Sequence, residues 1–71
     1  MTPEKAYEYA KKYGHLDSFR KFACQSSYYA YWYAKYLDKE FHEDTWEAVK
    51  GTKYEEEYNK FLNQIEKSKI I

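Results

Sequence analysis

The sequence predicts an all-α protein, a compact stack of about five helices, three longer and two short, built on a degenerate repeat of 24–25 residues. Three observations predict it. Apolar and aromatic residues recur at helical spacing in three separate stretches. Helix-start and helix-stop residues, among them Thr2-Pro3, Gly14, Ser26-Ser27 and Gly51-Thr52, fall between them. No strand-like alternation and no Asn-Gly hairpin signal occurs.

The first helix opens at Thr2-Pro3-Glu4, with Thr2 as cap, Pro3 at the first helical position and Glu4 favoured by the helix dipole. Ala6, Tyr9, Ala10 and Tyr13 form its stripe, and Gly14 is the expected left-handed stop. Asp17 or Ser18 caps a short second helix that turns Phe19, Phe22 and Ala23 inward and leaves Arg20 and Lys21 outward. Ser26-Ser27 reopens the cap signal for a third helix running to about Asp38 or Lys39, after which Phe41 is expected as a loop anchor. Asp44-Thr45-Trp46-Glu47 has capping-box spacing for a short helix with Trp46 and Val49 inward, ending at Gly51. Thr52-Lys53-Tyr54-Glu55 is a second such box. The last helix has the cleanest stripe, Tyr54, Tyr58, Phe61, Leu62 and Ile65; Lys67 and Lys69 suit its C-terminal end, and Ser68 to Ile71 are expected to fray.

Seventy-one residues make one domain, 1–71, near the lower size limit for independent folding. A lone Cys24 excludes an intramolecular disulfide, so aromatic mass must supply the core: ten Tyr, four Phe and two Trp, 23% of the chain. Each large ring buries on the order of 150–250 Å². The polar start Met1-Thr2-Pro3-Glu4-Lys5 gives no expectation of a secretory leader, and no apolar run reaches the ~20 residues that span a bilayer. The expectation is a cytoplasmic protein without membrane partners, in the host cell cytoplasm if phage-encoded.

Net charge is zero, but residues 1–37 carry six basic and three acidic side chains against six and nine in 38–71. Such a dipolar chain can simply be well solvated, or can set its acidic half against a basic partner; homo-oligomers are a further expectation.

Segments of the chain repeat. Ala6-Tyr7-Glu8-Tyr9-Ala10-Lys11 matches Ala30-Tyr31-Trp32-Tyr33-Ala34-Lys35 at an offset of 24, with only the third residue differing. At an offset of 25, Tyr29, Tyr33, Lys35 and Leu37 fall on Tyr54, Tyr58, Lys60 and Leu62. Units this small must stack to bury their faces. The stretch 29–37, with Lys39, Phe41, Glu47-Ala48-Val49 and Tyr54, resembles one unit of the short tyrosine/alanine-rich helical repeats found in bacteriophage-encoded proteins. In those repeats a "YAYxYA" helix leads into a Lys-Gly-Arg-Phe-type turn and then an "E-x-A-I" short helix. Here the turn is Asp38-Lys39-Glu40-Phe41, without the glycine and arginine. The resemblance implies a phage-like origin and a helical stack. Small phage proteins often act by binding host proteins, which makes a host protein the expected partner.

Catalytic chemistry finds little support. His15, Cys24 and His42 lack paired ligand spacing, so neither a metal nor another cofactor is expected. No nucleophile motif surrounds Cys24 or Ser26, and two glycines exclude a phosphate-cradling loop. Glu55-Glu56-Glu57 at a helix start reads as a solvated face. The expectation is no enzyme and no catalytic residue. Lys11, Lys12, Arg20 and Lys21 with nearby tyrosines make a nucleic-acid-binding protein the alternative, against an acidic second half. Glu40, Glu43, Asp44 and Glu47, with Glu55 to Glu57, form a possible acidic surface.

The third helix carries the strongest positive signal. Tyr29, Tyr33 and Leu37 line one side as stacking residues; Tyr28, Tyr31, Trp32 and Lys35 lie on the other, an aromatic patch with a cation, the composition of an interface hot spot. Either neighbours cover both sides, or the second side stays open to a partner. A middle placement has Trp32 partly buried with Tyr28 and Tyr31 open. The sequence therefore points to a protein-binding module, a modulator or inhibitor of a host protein, acting through these four residues.

Overall fold

The computed structural model describes residues 1–14 and 16–69, the last two as backbone. Among them are five helices and no strand: α1 (Pro3–Tyr13), α2 (Asp17–Ala23), α3 (Ser27–Trp32), which continues without a break as a π-helical segment (Tyr33–Asp38), α4 (Glu43–Val49) and α5 (Glu55–Lys69). None is long and apolar enough to cross a membrane.

The expected N-terminal caps form at α1 and α3. Thr2 Oγ1 accepts from the Lys5 amide at 3.2 Å, and Ser26 Oγ accepts from Tyr29 at 3.4 Å. Gly14 stops α1, but at φ 124°, ψ 151° rather than in the left-handed helical region, a backbone shape reserved for glycine. Three expected caps are replaced. Leu16, not Asp17 or Ser18, precedes α2, because the Asp17 carboxylate is drawn to Arg20 instead. α4 starts two residues early, at Glu43, so Asp44 lies inside the first turn, accepting from the Thr45 amide at 2.8 Å rather than capping a box with Glu47, and the Thr45 hydroxyl turns inward to the His42 carbonyl at 2.9 Å. At α5, Thr52 Oγ1 accepts from Tyr54 while Glu55 reaches the Gly51 amide, one residue before the expected target. α5 runs through Lys69; Ile70 and Ile71 of the expected frayed end lie outside the described residues.

Two apolar clusters share α3. On one side Ala30, Tyr31 and Ala34 pack with Val49, Tyr58 and Phe61, and Cys24, Trp46, Tyr54, Leu62 and Ile65 close around them. On the other, Tyr33 packs with Ala6, Tyr7, Ala10 and Ala23, bordered by Phe19, Tyr29 and Leu37. Tyr29, Tyr33 and Leu37 therefore stack as expected, and Trp46 with Val49 and the α5 stripe face inward. The alanines lie at helix contacts, where a larger residue would hold the helices apart. Residues matched at the offset of 24 share burial at Ala6 and Ala30, Tyr7 and Tyr31, Ala10 and Ala34, but not at Tyr9 and Tyr33.

Four inward expectations fail. The buried stripe of α1 is Ala6, Tyr7 and Ala10, while Tyr9 and Tyr13 are exposed, because α1 tilts its Tyr7 side onto α3. Phe22 is exposed, since the short α2 turns Arg20 and Ala23 inward instead. Phe41 is half exposed and touches Tyr58 only edge-on, at 6.4 Å. The Cα trace spans 37 × 27 × 15 Å, the thickness of about two helix layers, since packed helix axes lie about 8–10 Å apart. The central helix is covered on two sides, by the α4–α5 cluster and by the α1–α2 cluster.

Candidate interaction surface

The uncovered line of the central helix carries Tyr28, Trp32 and Tyr36, spaced four apart. The rings follow one another at 5.2 Å from Tyr28 to Trp32 and 5.2 Å from Trp32 to Tyr36. The π-helical winding, closed where the Lys39 amide donates to the Ala34 carbonyl at 2.8 Å, sets residues four apart more nearly above one another than an α-helix does. Trp32 packs against both clusters and anchors the row. Tyr28 and Tyr36 are 37% and 48% exposed, so part of each residue is open to solvent. Tyr7 meets Trp32 at 6.1 Å on the α1 side, and Tyr54 meets Tyr28 at 5.8 Å on the α5 side.

Cations border this ridge. Lys11 Nζ lies 5.7 Å from the Tyr7 ring centre, Lys35 Nζ 5.5 Å from both Tyr31 and Tyr36, and Lys53 Nζ 5.3 Å from Tyr54. Lys35 also donates to the Tyr31 hydroxyl at 3.1 Å, which holds its ammonium above the ordinary lysine pKa. None of the three has an ion-pair partner among the described residues, whereas Lys60 has Glu56 and Glu57. Carboxylates are present too. Burial, then Glu4 and Glu8 on α1, push the Tyr29 phenol above its usual range. The rim is mixed in sign.

Of the four residues singled out in sequence, Tyr28, Trp32 and Lys35 reach this surface. Tyr31 does not. It is buried, its ring stacked on Tyr54 at 6.0 Å with a 17° tilt, because the α4–α5 pair closes over that side of the helix. Tyr36 takes its place on the ridge. Its spacing of four from Trp32 was legible, but its position beside Leu37 concealed it.

A second feature escaped sequence reasoning. Arg20, expected outward, is buried beneath α3 and α4. Its Nε donates to Asp38 Oδ2 at 2.8 Å, Nη2 to Asp38 Oδ1 at 3.0 Å and Nη1 to Asp17 Oδ1 at 2.6 Å, with Asp44 Oδ2 at 3.9 Å. The guanidinium lies over the Tyr33 ring at 5.8 Å, and the Tyr33 hydroxyl donates to the Leu16 carbonyl at 3.1 Å. These bonds hold the Arg20 pKa further up and the Asp17 pKa down. His42 Nε2 stands 3.1 Å from Glu40 and 4.0 Å from Asp38. Among the described residues every buried side-chain polar atom has a partner, and this cluster ties α2, the π-segment and α4 together.

The cluster alters two further expectations. Arg20 is withdrawn from the basic surface of the first loop, while Lys11, Lys12 and Lys21 remain exposed. Asp44 is withdrawn from the acidic surface: it accepts from the Thr45 amide at 2.8 Å and faces Arg20, while Glu40, Glu43 and Glu47 remain exposed. Burial pushes the Cys24 thiol up to about 12, a poor setting for a nucleophilic thiolate. His15 lies outside the described residues. In comparisons with known proteins, no family model, no curated protein and no solved structure matches the chain.

Proposed function

We propose that this chain is a non-enzymatic protein-binding module, and that the Tyr28–Trp32–Tyr36 ridge is its contact surface. One observation carries the reading: three aromatic rings in line, open along one edge and bordered by lysines without ion-pair partners. Rigid aromatic side chains offer large contact area at low entropic cost, and a neighbouring cation adds direction. The most concrete version is a small phage-encoded modulator or inhibitor of a host protein in the host cytoplasm, which rests on the resemblance to the tyrosine/alanine-rich repeats.

A single nucleic-acid strand could also stack on such a row. Glu4 and Glu8 beside Tyr29, and the loss of Arg20 to its buried carboxylates, favour the protein partner, because a phosphate backbone would meet those acids.

Immobilised chain challenged with bacterial lysate tests the reading. Wild type is expected to retain one or a few proteins in both low and high salt, and Tyr28→Ser with Tyr36→Ser to release them while keeping the helical circular-dichroism spectrum. Equal retention by both chains would overturn the assignment of the ridge. Capture of nucleic acid alone, lost as salt rises, would replace the protein by the alternative partner.

A further inference from the structure

Two interfaces inside the molecule are built alike. In one, the α3 line Tyr29, Tyr33 and Leu37 lies on the row Ala6-Tyr7-x-x-Ala10 of α1, with Ala23 of α2 beside it. In the other, the α5 line Tyr54, Tyr58 and Leu62 lies on the row Ala30-Tyr31-x-x-Ala34 of α3, with Ala48 of α4 beside it. The two lines match at an offset of 25, as do Ala23 and Ala48. Each alanine row lets the facing helix approach closely, and the central ring of each line, Tyr33 or Tyr58, is fully buried.

The same line begins on α1 and there has no helix to lie on. Tyr9 and Tyr13 hold the places of Tyr33 and Leu37 at an offset of 24, yet they are 42% and 67% exposed. Their rings adjoin at 6.1 Å and form one face. The other end of the stack is finished differently. On α5 the places of Ala30, Tyr31 and Ala34 are taken by Glu55, Glu56 and Asn59, a polar row suited to a terminal unit. We propose that the Tyr9–Tyr13 face of α1 is a docking site for a helix of another protein that presents an Ala-Tyr-x-x-Ala row. A second copy of this chain does not supply one, because both of its rows are covered. α2 leaves room for the partner: α3 accepts α1 on its tyrosine line and α4 beside it at the same time, and α2 packs on α1 as α4 packs on α3. Lys5 stands where Tyr29 and Tyr54 stand, so this face is one ring smaller than the internal ones and fits a reversible contact. It shares no residue with the Tyr28–Trp32–Tyr36 ridge, so the two surfaces succeed or fail separately.

Fluorescence anisotropy with the folded full chain tests this. The probe is a labelled synthetic peptide copying residues 2–25, which carries the Ala6-Tyr7-x-x-Ala10 row, with Tyr9→Lys and Tyr13→Lys to remove its own open face. Binding is expected to saturate at roughly 10–100 µM, because the free peptide must order its helix on docking. Tyr9→Ser with Tyr13→Ser in the chain should weaken it on the order of tenfold or more, and so should Ala6→Glu with Ala10→Glu in the peptide. Circular dichroism checks the chain variant; should it lose helix, Tyr13→Ser alone, at the more exposed ring, is still expected to weaken binding several-fold. Binding indifferent to the tyrosine substitutions would mean that the peptide replaces the chain's own α1–α2 unit against α3, and overturns the proposal. Absence of binding overturns it as well, and two measurements then name the occupant. A dimer in sedimentation that is lost with Tyr9→Ser and Tyr13→Ser would seat a second copy on the face; oligothymidine bound at low salt and released by the same substitutions would seat a nucleic-acid strand.

Discussion

Arg20 and Asp38 stand eighteen positions apart, yet they close a two-pronged ion pair, Nε to Oδ2 at 2.8 Å and Nη2 to Oδ1 at 3.0 Å. Their side chains are 7% and 2% exposed, so the pair joins the end of the central helix to α2 away from solvent. Removing Arg20 leaves the Asp38 carboxylate buried without its cation, and removing Asp38 leaves the buried Arg20 with only Asp17 and the more distant Asp44. Arg20→Leu or Asp38→Leu is expected to cost about 3–5 kcal/mol, a large part of the stability of so small a domain. Arg20→Met combined with Asp38→Leu should cost less than either single change, because no lone charge remains. Urea unfolding of the three variants checks the order; a double variant as unstable as the two single effects added together would show that the pair is not the source.

Lys39 ends the π-helical segment in the left-handed region, at φ 55°. A side chain there crowds its own backbone, and glycine does not. Lys39→Gly is expected to stabilise the protein by about 0.5–1 kcal/mol, read as a higher urea midpoint at unchanged slope. A lower midpoint would mean that the lysine side chain contributes contacts worth more than the strain.

Tyr31 and Tyr28 are three positions apart on one helix and should behave oppositely. Tyr31→Ala empties a site in the α3–α5 cluster and is expected to cost about 3–5 kcal/mol. Tyr28→Ser should cost less than about 1.5 kcal/mol, since more than a third of the residue is already in water. Thermal unfolding by circular dichroism separates them; equal losses would place Tyr28 in the core as well.

Tyr58 donates its hydroxyl to Thr45 Oγ1 at 2.7 Å, because the Thr45 hydroxyl is spent on the His42 carbonyl. Tyr58→Phe removes that donor but leaves Thr45 with its other bond. The expected cost is about 0.5–1.5 kcal/mol. Thr45→Val should cost at least as much, because it leaves the buried Tyr58 hydroxyl only its longer contacts with the His42 carbonyl at 3.4 Å and the His42 amide at 3.5 Å. Chemical denaturation of both variants is the test.

Alkali should unfold the protein through its tyrosines. Burial raises the phenol pKa of Tyr33 most clearly, and also of Tyr58 and Tyr7, above the ordinary 10.0. The unfolded chain ionises near that ordinary value while the folded chain holds its protons. Stability from these groups is therefore complete below pH 10.0 and is lost as pH rises from there through the raised values. Tyrosinate absorbance and helical circular dichroism should change together above that pH. Smooth titration of every tyrosine with the helices intact would contradict the burial.

Much of this was legible in order along the chain. Thr2-Pro3, Gly14, Ser26 and the α5 stripe act within a turn or two of themselves, so local chemistry suffices to place them. That Tyr29, Tyr33 and Leu37 would stack also followed from the helical period and the repeat, since one line of large residues must meet another element; which element it meets came from the structure. The residues whose placement sequence misjudged depend on elements far away. Arg20 reads as a solvated cation until Asp38, Asp17 and Asp44 surround it. Tyr9 and Tyr13 lie on a sound helical stripe, yet the tilt of α1 selects Tyr7 instead.

The central aromatic helix shows the division most clearly. By itself the sequence determined that residues 27–38 would be helical, ring-rich, and apolar on more than one side. Only the tertiary structure decided which rings stay open. The π-helical winding aligns Tyr36 with Trp32, α4 and α5 close over Tyr31, α1 and α2 close over Tyr33, and Tyr28 and Tyr36 are left partly uncovered between the two clusters. Periodicity counts the faces of a helix; which face is covered depends on how many neighbours the rest of the chain can supply.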